Sequence, residues 1–208
     1  ALSDPLVKYC PEFRDTGVFV AGGGNVPFLT RPPVRPILMV DLLRHTAGLT
    51  YGFQERTPVD AAYRRDKLDS FNAQYDLETF LKKIAEYPLL FDPGESWNYS
   101  ISTDVLGGVI QRIADQPFDA YLKEHVLDPL GMEDTHFEVP KDKADRLADA
   151  YYFHNAEKKK LFDPGGPMSK WANPRAMPSG GGGLASTIGD YERFCRMLLG
   201  QGEYEGAR

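Results

Sequence analysis

The stretch from Trp97 to Gly108 constrains this chain more than any other. It reads W-N-Y-S-I-S-T-D-V-L-G-G and passes from turn to helix without a break. Phe91-Asp92-Pro93-Gly94 just ahead is a turn signal, because proline presets φ and glycine accepts the positive φ that follows. From Val105 the apolar residues Val105, Leu106, Val109, Ile110 and Ile113 fall at the spacing of a helix with one buried face. A helix from about Ser102 to Ala114 must therefore find a partner surface, which fixes the loop before it at one end. Tyr99 and Ser100 sit on that loop, where a phenol can be held rigidly toward a cleft, as a catalytic phenol must be. A half-buried tyrosine with its hydroxyl satisfied by a neighbour meets the same spacing, and on spacing alone that plainer reading leads.

The rest of the chain divides by turn chemistry and periodicity. Residues 1–15 read as a short turn or helix between two prolines, Gly17 to Ala21 as a brief β-leaning run, and Gly22-Gly23-Gly24-Asn25 as a flexible turn. The glycine triplet is followed by no Gly-Lys-Ser/Thr, so it carries no phosphate-loop signature. Thr30 to Pro36 is extended, since each proline biases its predecessor out of the helical region. Ile37 to His45 is a compact apolar segment with Gly48 placed to terminate a helix. His45 has no second histidine at ligand spacing, so a zinc site is not expected, and a structural histidine bonding nearby backbone fits better.

Tyr51 to Ala73 is polar and weakly periodic, which suggests a surface excursion with one short helix. Asp76 caps a helix with Leu77, Phe80, Leu81, Ile84 and Ala85 on its apolar face, stopped by Pro88. Pro117 opens another, with Phe118, Tyr121, Leu122 and Val126 as its stripe. Leu127 to Phe137 reads as a turn leading into a short strand, and Leu147 to Phe153 as a second strand. Asp163 to Gly183 reads as loop, ending in four glycines whose ordering costs entropy; that suggests either close backbone approach or a hinge. Thr187 and Asp190 form a capping-box pattern. The helix they open carries Ile188, Tyr191, Phe194, Cys195, Leu198 and Leu199 on one side, with Cys195 read as core.

Composition narrows function more by exclusion. A net charge of −6 with scattered cations leaves Lys158-Lys159-Lys160 as the only basic run, a solvated loop tip rather than a nucleic-acid patch. No apolar run approaches a membrane span, and no signal-peptide pattern opens the chain. Cys10 and Cys195 make no disulfide framework. The cytoplasm is favoured, and the periplasm is left open.

Several separated stretches then match one family in order. Leu42-Leu43-Arg44-His45-Thr46-Ala47-Gly48-Leu49 resembles the L-L-x-H-T-(S/A)-G-L segment of the serine β-lactamase and penicillin-binding-protein-like superfamily. Pro93-Gly94 with Trp97-Asn98-Tyr99-Ser100 resembles its P-G-x-x-(W/F)-x-Y-S segment. Leu127-Asp128-Pro129-Leu130-Gly131-Met132 and Gly181-Gly182-Gly183-Leu184-Ala185-Ser186-Thr187 are similar to two more. Asp104-Val105-Leu106-Gly107 after Tyr99-Ser100 is most similar to the family VIII carboxylesterases, relatives of class C β-lactamases. The resemblance spans nearly the whole chain.

The resemblance implies an α+β fold of the β-lactamase/transpeptidase type and an acyl-enzyme mechanism without a cofactor. A serine in S-x-x-K attacks the carbonyl, its lysine and Tyr99 share the proton traffic, and backbone amides hold the oxyanion. Trp97, Ser100, Ile101, Trp171, Gly181, Gly182 and Gly183 are the substrate-binding candidates, with Tyr151 and Gly180 beside them as further parts of the pocket wall. A phenol with an ordinary pKa near 10 needs a nearby ammonium to act as a base at neutral pH.

No S-x-x-K occurs in residues 1–208, and no K-T-G or H-x-G motif closes the chain. Residues 1–208 are therefore expected to be the central, mainly helical part of one β-lactamase-like domain. The nucleophile helix and most of the catalytic sheet would lie outside it, and this chain alone would be inactive. The expected partners are the remainder of that fold and a small ester or amide substrate. Ile101 stands where β-lactamases usually carry the asparagine of Y-x-N, which leans toward esters. A non-catalytic descendant that binds or assembles, and a β-lactamase or D-Ala-D-Ala peptidase, are the competing readings, along with a helical module that folds alone.

Overall fold

The computed structural model describes every residue except 69–74, 156–157, 174–176 and 208. The described residues form six α-helices and four short strands, the mainly helical α+β content expected. The chain divides into two compact units. The first comprises Ala1–Phe118 and Ala176–Gly182, and the second Asp119–Arg175 and Gly183–Arg208.

In the first unit, residues near the N-terminus form two 3-10 turns, Leu6–Lys8 and Pro11–Asp15, whose Leu6 and Phe13 are buried. Strands β1 (Val18–Gly23) and β2 (Val26–Arg31) pair antiparallel around Gly24-Asn25, so the glycine triplet closes a hairpin rather than forming a free turn. Helix α1 (Met39–Leu43) is shorter than the sequence suggested. It caps at Arg44, and His45, not Gly48, takes the left-handed position after it, at φ 56°. Gly48 lies further on, also at positive φ, where an added Cβ would stand 2.6 Å from the Phe91 carbonyl oxygen.

The Tyr51–Ala73 segment corrects the sequence reading as far as it is described; residues 69–73 lie outside the described residues. Helix α2 (Pro58–Arg65) buries Val59, Ala62 and Tyr63, so it belongs to the core rather than to a surface excursion. Its weak periodicity hid a reciprocal capping box, in which Thr57 Oγ1 accepts from the Asp60 amide and the Asp60 carboxylate accepts from the Thr57 amide. Helix α3 (Leu77–Ala85) is capped by Asp76 and buries Leu77, Phe80, Leu81 and Ile84 as expected.

Helix α4 spans Ser102–Ala114. Its buried face is Ser102, Asp104, Val105, Gly107, Gly108 and Val109, while Ile113 at the end of the predicted stripe is exposed. Gly108 sets the contact with α3, since a Cβ there would lie 2.7 Å from Leu81 Cδ1. The glycine lets Leu81 seat directly on the helix backbone.

Helix α5 (Phe118–Leu122) runs into a π-helical turn at Lys123–Leu127. In the second unit Leu127, Leu130 and Met132 form a small core packed by Phe194, Met197 and Tyr204. The strand expected before Phe137 reduces to one antiparallel bridge, His136 with Ala185. Strands β3 (Ala150–Asn155) and β4 (Lys158–Asp163) form a second hairpin. Lys158 to Lys160 therefore lie in a strand, not at a loop tip; among the described residues from Asp163 to Gly183 the loop reading holds apart from 3-10 turns at Gly166–Met168 and Lys170–Ala172.

Helix α6 (Ile188–Leu199) starts at Thr187, whose Oγ1 accepts from the Asp190 amide at 3.2 Å. The other half of the expected box is not made. The Asp190 carboxylate instead accepts from the Asp134 amide and the Thr135 hydroxyl. Much of the apolar stripe on α6 is also uncovered. Ile188, Tyr191, Leu198 and Leu199 are exposed, and Cys195 is only partly buried rather than core.

Candidate active site

The turn carrying Tyr99 is built by the segment that follows α1. The Asn98 amide donates to the His45 carbonyl at 2.9 Å, and the Asn98 side-chain amide donates to the Leu49 carbonyl at 2.9 Å. The Ile101 amide reaches the Thr50 carbonyl at 3.3 Å, and Arg56 donates to Asn98 Oδ1 at 2.5 Å. Upstream, the Gly94 amide bonds the Thr46 carbonyl at 2.7 Å. The H-T-A-G-L and W-N-Y-S stretches, distant in sequence, are thus one hydrogen-bonded unit. Buried backbone groups in irregular chain need such partners, and satisfying them fixes the turn.

Tyr99 stands on this frame 44% exposed, and among the described residues its hydroxyl has no hydrogen-bond partner. The phenol is thus half-exposed, and no neighbour among the described residues bonds its hydroxyl. Its ring lies 5.1 Å from the Tyr51 ring and 5.1 Å from the His45 imidazole. Trp97 is 68% exposed and touches His45 edge-on at 6.3 Å. Ser100 and Ile101 are buried behind the turn.

His45 corrects its sequence reading. Its Nδ1 meets Ser100 Oγ at 3.3 Å, not a backbone group, and Ser100 Oγ meets Ser102 Oγ at 2.7 Å. Burial holds the imidazole below its ordinary pKa, which favours the neutral ring beside Tyr99. A non-glycine residue at positive φ is strained. Here the strain turns the His45 carbonyl to receive Asn98 and the ring to meet Tyr99.

Asp104 was legible only as part of a motif, yet it organises the glycine run. It is buried in the first turn of α4 and accepts from Ser179 Oγ at 2.5 Å, the Gly181 amide at 3.3 Å and the Tyr51 hydroxyl at 3.5 Å. Burial pushes its pKa up, against the pull of those donors. The run lies tight against the helix: a Cβ on Gly180 would stand 2.2 Å from the Thr103 carbonyl oxygen, and one on Gly181 2.8 Å from Asp104 Oδ2. Close backbone approach, rather than a hinge, accounts for these two glycines. Gly182 has open space where a Cβ would go.

Tyr99, Trp97, Ser100, Ile101, Gly181 and Gly182 all belong to the first unit. Trp171 and Gly183 belong to the second, where the Trp171 indole donates to the Gly183 carbonyl at 3.1 Å. Tyr151 is exposed there on β3 and donates to Asp149. Sequence reasoning passed over Tyr51, Phe53 and Gln54. The signal was present in Thr50-Tyr51-Gly52-Phe53-Gln54, aromatic residues directly after the H-T-A-G-L segment.

The sequence profile of the Beta-lactamase family matches residues 1–208. Protein Rv1367c of Mycobacterium tuberculosis is 38% identical over 208 residues, covering 100% of this chain and 50% of that protein. Esterase EstB of Burkholderia gladioli is 32% identical over 210 residues, covering 93% of this chain and 49% of the relative. Among solved structures, EstCE1, described as a hydrolase with promiscuous acyltransferase activity, superposes with a TM-score of 0.78 at 27% identity. That match covers 100% of this chain and 54% of EstCE1. The chain spans about half the length of the curated relatives it matches.

Proposed function

Because this chain belongs to the beta-lactamase family, we propose that it is the central part of a serine hydrolase acting on carboxylic esters through an acyl-enzyme. Tyr99 is its proton-transfer residue. One observation carries the reading: a half-exposed phenol, its hydroxyl without a protein partner among the described residues, held on a turn fixed by hydrogen bonds to the His45, Leu49 and Thr50 carbonyls. The similarity to EstB points the same way.

The serine oxygen forms a bond to the ester carbonyl carbon, and its proton passes to the tyrosyl oxygen. The proton then goes to the departing alkoxide as the ester C–O bond breaks. Water resolves the acyl-enzyme by the same route in reverse. A phenol performs this near neutrality only beside a cation. In this reading the cation and the nucleophile come from an S-x-x-K lying outside residues 1–208. Ile101 is wholly buried and offers no amide to a substrate, which favours esters over β-lactams.

The test is intact-mass spectrometry after mixing with an activated ester. The full-length protein should gain the mass of one acyl group, and residues 1–208 alone should gain none. Acylation of the 208-residue chain would show that the nucleophile lies within it and would overturn the reading.

A further inference from the structure

The 3-10 turn Gly52–Gln54, whose Gly52 is buried, is fastened on several sides. The Gln54 side-chain amide donates to the Tyr99 carbonyl, and Arg64 of α2 donates to the Gly52 carbonyl. Tyr51, just before the turn, reaches Asp104 through its hydroxyl. Glu55 closes the turn in the left-handed conformation, at φ 54°. These fastenings present Phe53, which is 62% exposed and stacked on the Tyr51 ring at 4.8 Å and 23°. Its ring centroid lies 6.5 Å from that of Tyr99.

Exposing a phenylalanine on a mobile tip would be unremarkable. Here the ring is preorganised by bonds from Gln54 to the Tyr99 carbonyl and from Arg64 to the Gly52 carbonyl. A rigid apolar surface beside a reactive group loses little entropy when a ligand packs on it. With Trp97 exposed on the other side of His45, the borders of Tyr99 are aromatic. Such a border suits an uncharged chain better than an ionised one.

We propose that Phe53 is a specificity-determining residue that packs the apolar chain of the ester beside Tyr99. The inference rests on the esterase reading above. The chain is the acyl or the alkoxy part of the substrate, and two ester series distinguish these sources. Each methylene transferred fully from water to an apolar surface gains about fourfold in binding, so a few methylenes give a readable slope.

The experiment compares wild type, Phe53→Ala and Phe53→Leu in the full-length enzyme. One series is p-nitrophenyl acetate, butyrate and hexanoate; the other is methyl, butyl and hexyl acetate. In one series, Phe53→Ala is expected to lower the long-to-short ratio of kcat/KM by about fivefold or more, mainly through KM. Phe53→Leu should keep most of that ratio. Ratios unchanged within twofold in both series would overturn the proposal, as would a wild type indifferent to chain length. Tyr99→Phe is measured alongside. If it stays active, the site reading itself has failed; if it is inactive while the Phe53 ratios do not move, this inference alone has failed.

Discussion

Replacing Asp104 with asparagine separates what this buried carboxylate does for stability from what it does for the site. Asp104 is 5% exposed, and its three donors are all neutral: Ser179 Oγ, the Gly181 amide and the Tyr51 hydroxyl. Taking a carboxylate out of water costs several kcal/mol. The Ser179 and Gly181 bonds return about 1.5–3 kcal/mol each because the acceptor is charged, and the Tyr51 contact at 3.5 Å returns little. Burial outweighs these returns at neutral pH, so Asp104→Asn should leave stability unchanged or raise it there, by on the order of 1 kcal/mol. Asp104→Ala, which leaves a cavity and strands the donors, should cost about 2–4 kcal/mol.

The pH dependence gives the sharper discrimination. Burial raises the Asp104 pKa above its ordinary value of 3.8, so the native state holds its proton more tightly than the unfolded chain does. That preference stabilises the fold fully below the ordinary carboxylate value and is lost as pH rises through the raised one. Urea unfolding of wild type and Asp104→Asn between pH 3 and pH 7 reads this directly. Wild type should gain on the asparagine variant as the solution is acidified. A wild type that loses ground on acidification would mean that the donors outweigh burial, and would refute the reasoning.

Other substitutions test neighbouring parts of the account. Gly180→Ala forces a Cβ to 2.2 Å from the Thr103 carbonyl oxygen; it should cost about 1–3 kcal/mol and raise hydrogen exchange at Gly181. Unchanged protection there would show that the run is not held by this contact. Arg112 bonds Glu12, Glu78 and the Tyr9 carbonyl, and its guanidinium holds the Glu78 carboxyl below its ordinary range. Arg112→Ala should cost about 2–3 kcal/mol by urea unfolding at pH 7. The Glu78 part of that difference is present above its ordinary value of 4.5 and lost as pH falls through the lowered one, so a loss independent of pH would contradict it.

The helical elements were legible where one face repeats cleanly. The predicted ends of the Ser102–Ala114 helix, and the Asp76 cap of α3, are those observed. The misses have two causes. The Thr57–Asp60 box that opens the buried α2 is a local signal of the same kind as Thr187–Asp190 and was passed over. Periodicity, by contrast, could not show that the Asp190 carboxylate is drawn to Thr135, far away in sequence, and away from its own cap. The uncovered stripe on α6 shows the converse: an apolar pattern records that a face wants a partner, not that the partner lies within the same residues. At the site, Tyr99 was legible through its motif. The support from His45 was not, because it depends on a left-handed backbone that no local signal announced.

The measurement that bears most directly on the proposed function is kcat for Tyr99→Phe in the full-length protein on a simple ester, with KM taken in the same experiment. On the proposed mechanism, removal of the Tyr99 hydroxyl should lower kcat by about a hundredfold or more while KM stays within a few-fold. A variant that keeps kcat within a few-fold of wild type would contradict the account.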